Sequence, residues 1–449
     1  MRMFGENDTS VFDTLDHHKH RMRREPWNPY FSKASVSRLQ PLLIQNCVNK
    51  ICDRLAEHQA AGKTVIMTHA YACLTVDVIS EYAFPQGYGF LNRRPNFEFQ
   101  NAHYDSYIAL SKISHLLKQF GWLFPVLNAM PLWITKRTSP ETYLVIKEQH
   151  AMLAHAQQVK AQLDDSHSKD YKEVTGRPSM FEAFMTSPSL PQQEKTPERL
   201  KGEAIVTIGA GTLTSTHALK HATYHILSNP AILDRLMSEL NSAIPNPISN
   251  PPDLKTLESI DYLMAILYET LRVFNGVVHR LQRILPDRVT VYGKGTEREV
   301  VIPPGTPVSM TSLHVHEDAG PFPKPYEFNP ERWLPLRTNG VRLQRYLVPF
   351  GKGSRQCESP LSLSFSVFAF WKSYVPPWLY ANVDLGAGVG MELGKAEILT
   401  ALANVFLRFG RSMRLVDAVR ERDIDCKHDF FNPLPSKGNN GLVVAFDKA

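Results

Sequence analysis

The sequence predicts a mainly α protein with a small β-rich part, an α+β chain whose first two-thirds are helical. Apolar residues recur at helical spacing from about residue 35 to residue 274. One segment, Pro197–Leu227, is apolar or small on every side through 205–219, as expected of a helix buried through the centre of a large protein. Beyond residue 280 the period shortens. Pro and Gly then become frequent up to Pro349, the texture of short strands and turns.

Taken in order, 35–58 reads as a helix capped by Ser35, and 65–82 and 96–120 read as further helices. Residues 121–134 are apolar but carry Pro125 and Pro131, too short and broken to span a bilayer. They read as a buried loop or as a loop that dips into a membrane surface. An amphipathic helix follows at 141–163, with polar linkers at 166–170 and 188–196. The long helix opens with Thr196 as cap and Pro197 at its first position, and Asn229-Pro230 ends it. Helices are expected at 231–243 and 262–274. Strands at 289–292 and 300–302 flank a Gly-Lys-Gly turn, and the chain closes with a helix at 392–409 and a strand at 441–446.

Composition excludes several classes. The chain has 449 residues, 43% apolar and 21% charged, which is globular and not disordered, collagen-like or coiled-coil. A net charge of +6 lacks the dense basic stripes of a nucleic-acid binder, so no nucleic acid is expected as a partner. Five cysteines (Cys47, Cys52, Cys73, Cys357, Cys426) include no Cys-x-x-Cys pair, which argues against a disulfide scaffold and a structural zinc site. No run of 18 apolar residues exists, so no transmembrane segment is expected, and residues 1–24 are polar and charged, unlike a secretory signal.

A single cysteine then stands out. In Phe350-Gly351-Lys352-Gly353-Ser354-Arg355-Gln356-Cys357, the glycines permit close backbone approach around a sulfur. Phe350 offers an apolar wall and Arg355 a cation two residues from the thiolate. A thiolate shielded in this way suits iron. The passive alternative is a Gly-rich surface turn.

This octapeptide resembles the Phe-x-x-Gly-x-Arg-x-Cys signature of the cytochrome P-450 superfamily, the heme-thiolate monooxygenases. The resemblance implies a P-450-like helical fold with the long central helix over the heme, and heme b with Cys357 as axial metal ligand. Phe350, Gly353 and Arg355 would be cofactor-binding. Other motifs follow the family order. Glu269 and Arg272, at i and i+3 of a helix, can pair. They resemble the family's Glu-x-x-Arg, which Arg332 in Pro330-Glu331-Arg332 would complete as structural support. In Ala210-Gly211-Thr212-Leu213-Thr214-Ser215, Gly weakens the helix and the Thr214 hydroxyl can bond back to Ala210, opening a local groove. In the family that groove faces the heme. Ala210 and Gly211 would contact the cofactor, and Thr214, with Ser215, would be catalytic in proton delivery. Leu213 departs from the pattern, which usually has an acid there. His20 and Arg24 resemble the family's pair that clamps a heme propionate. His279 and Arg280 also fall where the family places a propionate partner, with Arg283 as a rival.

The resemblance covers nearly the whole chain and implies a single monooxygenase domain over 1–449, with two departures. The stretch ahead of residue 16 is much shorter than in the family, so an N-terminal anchor and first sheet are expected to be missing. After Cys357 the family runs directly into a helix, whereas here 31 Ser-, Phe-, Trp- and Pro-rich residues, 358–388, intervene before Val389-Gly390-Met391. They read as a retained-intron insertion.

The expected function is insertion of one atom of dioxygen into a hydrophobic small molecule, in fungal secondary-metabolite biosynthesis. An NADPH-cytochrome reductase would be the electron donor. The alternatives are a degenerate, non-catalytic heme-thiolate remnant and a dioxygen-independent isomerase. Family analogy implies the endoplasmic reticulum membrane as location, with peripheral membrane contact through 121–134. The sequence does not name the substrate.

Overall fold

In the computed structural model, the described residues are 9–84, 86–92, 98–164, 179–334, 343–351, 357, 389–439 and 441–447. Gly353, Arg355 and the whole 358–388 segment lie outside them.

The central helix, Pro197–Leu227, runs through the body with Thr196 accepting from the Arg199 N–H at its start. It packs most heavily against the helices Met67–Ala83 and Pro140–Asp164, and also against Asp261–Phe274 and Val389–Phe409. One apolar core joins these helices, with Tyr71, Leu74, Leu219, Ile266, Leu402 and Phe406 among its fully buried members. The Asp261–Phe274 helix ends on Asn275 in the left-handed conformation, φ 64°.

The β part is small and antiparallel. Val443–Phe446 lies between Val65–Ile66 and Met413–Leu415. Leu281–Ile284 pairs with Pro307–Met310, Thr290–Tyr292 with Val300–Ile302, and His428–Phe430 with Asn432–Leu434. No described helix is long and apolar enough to cross a membrane.

Two readings of the sequence need correction. The expected helix at 35–58 starts earlier, at Lys33, because the Ser32 hydroxyl, and not Ser35, accepts the free N–H of the first turn. It also contains a π-helical segment at Gln40–Ile44, where Pro41 has no N–H to give the ladder. Residues 121–134 are not a buried loop. They fold as two short helices, Leu123–Ala129 and Leu132–Thr138, with Pro125 in the first turn of one and Pro131 capping the other. Leu123 and Leu127 pack inward, but Trp122 at the start of the first helix and Trp133 in the second are 65% and 72% exposed.

Candidate heme site

The central helix is buried along most of its length, yet one stripe is open. Ala210 is exposed, and Val206, Thr207, Gly211 and Thr214 are half-buried. These positions recur at three- and four-residue spacing, so they share one helical face. The flanks of this stripe are tightly packed. A Cβ on Gly209 would lie 2.6 Å from Tyr107, and one on Gly211, at the edge of the stripe, 2.7 Å from Ile79. The glycines therefore let the neighbouring helices approach on either flank while the face around Ala210 stays open. On that face the Thr214 hydroxyl donates to the Ala210 carbonyl at 2.8 Å, the back-bond that its spacing predicts.

Ser215, next along, is buried. It lies beside the carboxyl of Glu397, whose pKa burial pushes up to about 8, favouring the protonated form near neutral pH. Gly394, one turn before Glu397, lies close to the Ser215 hydroxyl. Glu397 was not visible as a site residue in the sequence. In the sequence it is one of three charged residues, with Glu392 and Lys395, in the first turns of the helix Val389–Phe409.

The structure brings Glu269, Arg272 and Arg332 into one buried cluster. Arg272 donates to both Glu269 oxygens, at 2.9 and 2.8 Å, and Arg332 adds a bond of 3.1 Å. The Asn329 N–H and the Trp333 indole complete the shell around Glu269 at 2.8 and 2.9 Å. The remaining Arg272 donors reach the carbonyls of His316, Pro325 and Glu327. An ion pair with every donor and acceptor engaged is the arrangement in which burial is tolerated.

Beyond this cluster the chain enters the cysteine loop. The Val348 N–H donates to His316 Nε2 at 2.9 Å, and the Cys357 N–H donates to the Phe350 carbonyl at 2.9 Å. Gly351 has φ 67°. Cys357 is exposed and outside any disulfide, while the other described cysteines except Cys426 are buried. His20 and Arg24 lie buried on one face of the helix His17–Arg24. Arg23 between them pairs with Glu194 at 2.8 Å. His279 and Arg280 separate. His279 bonds Lys118 at 2.8 Å and Asp429 at 3.1 Å, whereas Arg280 is exposed.

An exposed cysteine at the end of a backbone-anchored loop, an open stripe across a buried helix and a buried arginine beside a histidine are what a flat, doubly acidic iron cofactor needs. The residues present fit heme.

The cytochrome P450 family model matches residues 5–358 of the chain. The chain belongs to the cytochrome P450 family. An N-acetyltryptophan 6-hydroxylase, ivoC, of Emericella nidulans is 35% identical over 449 residues, covering all of this chain and 78% of the relative. A tryptophan 6-hydroxylase, fscE, of Fusarium equiseti is 34% identical over 446 residues, 99% of this chain and 77% of that one. The monooxygenase tpcC of Cochliobolus heterostrophus is 39% identical over 363 residues, 79% and 65% of the two chains. The protein is therefore a P450-type monooxygenase related to enzymes of fungal secondary metabolism, and its family cofactor is heme b held by a cysteine thiolate. The family implies a redox partner and a hydrophobic substrate. Relatives named as hydroxylases and monooxygenases disfavour the isomerase and remnant readings.

Proposed function

We propose that Cys357 is the axial thiolate for heme b in this chain and that the open stripe Ala210–Gly211–Thr214 forms the wall above the cofactor. That stripe is the observation carrying the reading, because no packing need explains an exposed alanine midway along a central helix. His20 and Arg24, with His279 or Arg280, hold the propionates, and Phe350, Gly353 and Arg355 shape the cysteine loop. Bound heme would activate dioxygen, with two electrons from the reductase and two protons, so that one oxygen atom enters an apolar small molecule and the other leaves as water. Thr214 places its hydroxyl at the wall, and rotation of its O–H away from the Ala210 carbonyl would deliver a proton there. Ser215, beside the buried carboxyl of Glu397, keeps a second exchangeable proton one residue behind it, although Leu213 offers none. Glu269, Arg272 and Arg332 touch neither substrate nor cofactor and hold the loop in place.

The substrate belongs among ring-bearing, hydrophobic precursors of fungal secondary metabolites, a class consistent with the names of the relatives above. Electrons come from an NADPH-cytochrome reductase. The two outward helices between Leu123 and Thr138 support peripheral contact with the endoplasmic reticulum membrane. Trp122 and Trp133 stand beside Lys136 and Arg137, the mix of apolar and basic groups that an interface favours.

Residues 358–388 are an insertion from a retained intron. The family match stops at residue 358, and the helix that follows the cysteine loop in the family starts here at Val389. Such an insert would separate in sequence that helix N-terminus, with its dipole and free N–H groups, from the thiolate that it directly follows in the family. Reduced carbonyl spectra of the 449-residue chain and of a 358–388 deletion test both statements. A strong thiolate-heme band in the deletion and a weak one in the full chain are expected. Equal, full bands would sink the insertion reading, and no band in either would sink Cys357 as ligand.

A further inference from the structure

His316 was not singled out by any sequence motif, and it sits at a junction. It is 0% exposed, at the end of the five-residue helix Ser312–His316. Its ring bonds two separate segments. Nε2 accepts the Val348 N–H at 2.9 Å, and Nδ1 lies 2.6 Å from Asn275 Oδ1. Its own carbonyl accepts from Arg272 at 2.9 Å.

The polarity of these bonds is determined. A backbone N–H only donates, so Nε2 must be the bare nitrogen. Nδ1 then carries the hydrogen and donates to Asn275. The Asn275 amide is oriented the same way, because its Nδ2 donates to the Val273 carbonyl at 3.1 Å and leaves Oδ1 for the ring. Only one tautomer of a neutral imidazole satisfies both neighbours. Burial and the nearby Arg272 charge hold the ring neutral, with its pKa pushed down to about 3.

The two segments so joined matter to the site. Asn275 begins the turn after the Glu-x-x-Arg helix, and its neighbours are tied to the same short helix. Thr311 Oγ1 donates to Val278 O at 2.6 Å, and Ser312 Oγ to Val277 O at 3.2 Å. Val348 is the root of the cysteine loop, two residues before the Phe350 carbonyl that anchors the Cys357 N–H. Hydrogen bonds and the short peptide stretch between them therefore lead from the Glu269–Arg272 cluster through His316 to Cys357.

We propose that His316 is a positioning residue for Cys357, its neutral ring fixing the root of the cysteine loop to the ion-pair cluster. The proposal rests on Cys357 being the thiolate ligand. His316 touches neither cofactor nor substrate and acts through Val348 alone.

His316→Phe keeps an aromatic ring of similar shape and removes both nitrogens. His316→Gln keeps an acceptor and a donor. In the full chain without heme, amide exchange at Val348 should speed up about tenfold in the Phe variant, the effect of one lost hydrogen bond, and less in the Gln variant. In heme-loaded protein, made with 358–388 deleted, the Phe variant should lose at least half of its thiolate-type carbonyl band and the Gln variant should recover most of it. If the Phe variant does not fold, Asn275→Gly decides. Glycine suits the positive φ and removes the Nδ1 partner together with the Nδ2 bond to the Val273 carbonyl. Unchanged Val348 exchange and an unchanged thiolate fraction in whichever of these variants folds would overturn the proposal. A thiolate band absent even without substitution would overturn the ligand reading beneath it, a separate failure that the exchange data distinguish.

Discussion

The central helix has two unlike halves. Up to Thr214 it leaves a stripe open across Thr207, Ala210 and Gly211. From Ser215 to Ile226 nearly every side chain is buried, and several are polar: His217, Lys220, His221 and His225. His217 bonds the Tyr104 hydroxyl at 3.0 Å and meets the Phe274 ring edge-on. His225 stacks flat on Phe328 with centroids 4.3 Å apart, and Lys220 donates to the Asp423 carbonyl at 3.0 Å. The stretch placed for chemistry, 205–214, carries only small, apolar and hydroxyl-bearing residues. The stretch after it buries its titratable residues as packing. Polarity in a central helix is thus a poor guide to function, and openness a better one.

If that contrast is right, the largest stability loss comes from the packed side. Arg272 lies against it, within electrostatic reach of His225. Arg272→Leu leaves Glu269 with Arg332 as its remaining cation and strips a donor from three carbonyls. A loss of about 3–5 kcal/mol, or failure to fold, is expected in urea titrations. A loss under about 1 kcal/mol would mean that the cluster does not hold this side together.

The next effect is a pH dependence. Burial, first, and then the Arg420 and Arg272 charges push the His225 pKa down to about 3, and burial also pushes His217 and His221 well below the usual value. Between pH 6.5 and the folded pKa, the unfolded chain takes up a proton that the folded chain refuses. Stability from each ring is therefore present above pH 6.5 and lost as pH falls through its lowered folded value, about 3 for His225. From pH 6.5 to 5 the loss from His225 alone is about 2 kcal/mol. His225→Phe keeps the stack on Phe328 and should flatten the acid limb of a plot of melting temperature against pH. An unchanged limb would show that this ring already exchanges protons with solvent.

Two adjacent helix positions give the sharpest local contrast. Gly209→Ala would press its methyl against Tyr107 and should cost about 1–2 kcal/mol, less whatever alanine returns in helix propensity. Ala210→Leu, one residue on, adds far more volume but points into the open stripe. It should stay within about 0.5 kcal/mol in thermal unfolding. The same variant should weaken binding of apolar ligands, followed by the spectral shift of the heme. Equal destabilisation by both substitutions would close the proposed wall.

Much of this was legible in the sequence, and the reasons differ by region. The central helix was readable to the residue because Thr196-Pro197 and Asn229-Pro230 mark its ends with local chemistry. Glu269, Arg272 and Arg332 could be assembled because two of them are a helical i, i+3 pair and the third sits in its own motif. The outward helices at 123–138 were misread because two prolines look like breakers, although each occupies a helix start where proline is tolerated. His316 and Glu397 were invisible for another reason. Each is one polar residue whose partners, Val348 and Ser215, come from distant segments, and no local spacing announces such a contact.

The smallest expected change in stability belongs to the residue with the largest expected chemical role. Thr214 is half-buried, its hydroxyl bonds only within its own helical turn, and alanine is a better helix former. Thr214→Ala should therefore move the unfolding midpoint by no more than about 0.5 kcal/mol. If the hydroxyl serves only the helix, turnover will be unchanged as well. If it presents a proton at the wall, reducing equivalents will continue to be consumed while product per NADPH falls and peroxide rises, and Thr214→Ser will restore most of the coupling. A buried structural threonine would lose stability without changing that ratio, and a proton-delivering one would change the ratio without losing stability. The two readings move different quantities, so measuring both on the same pair of variants separates the open half of the helix from the packed half by chemistry as well as by shape.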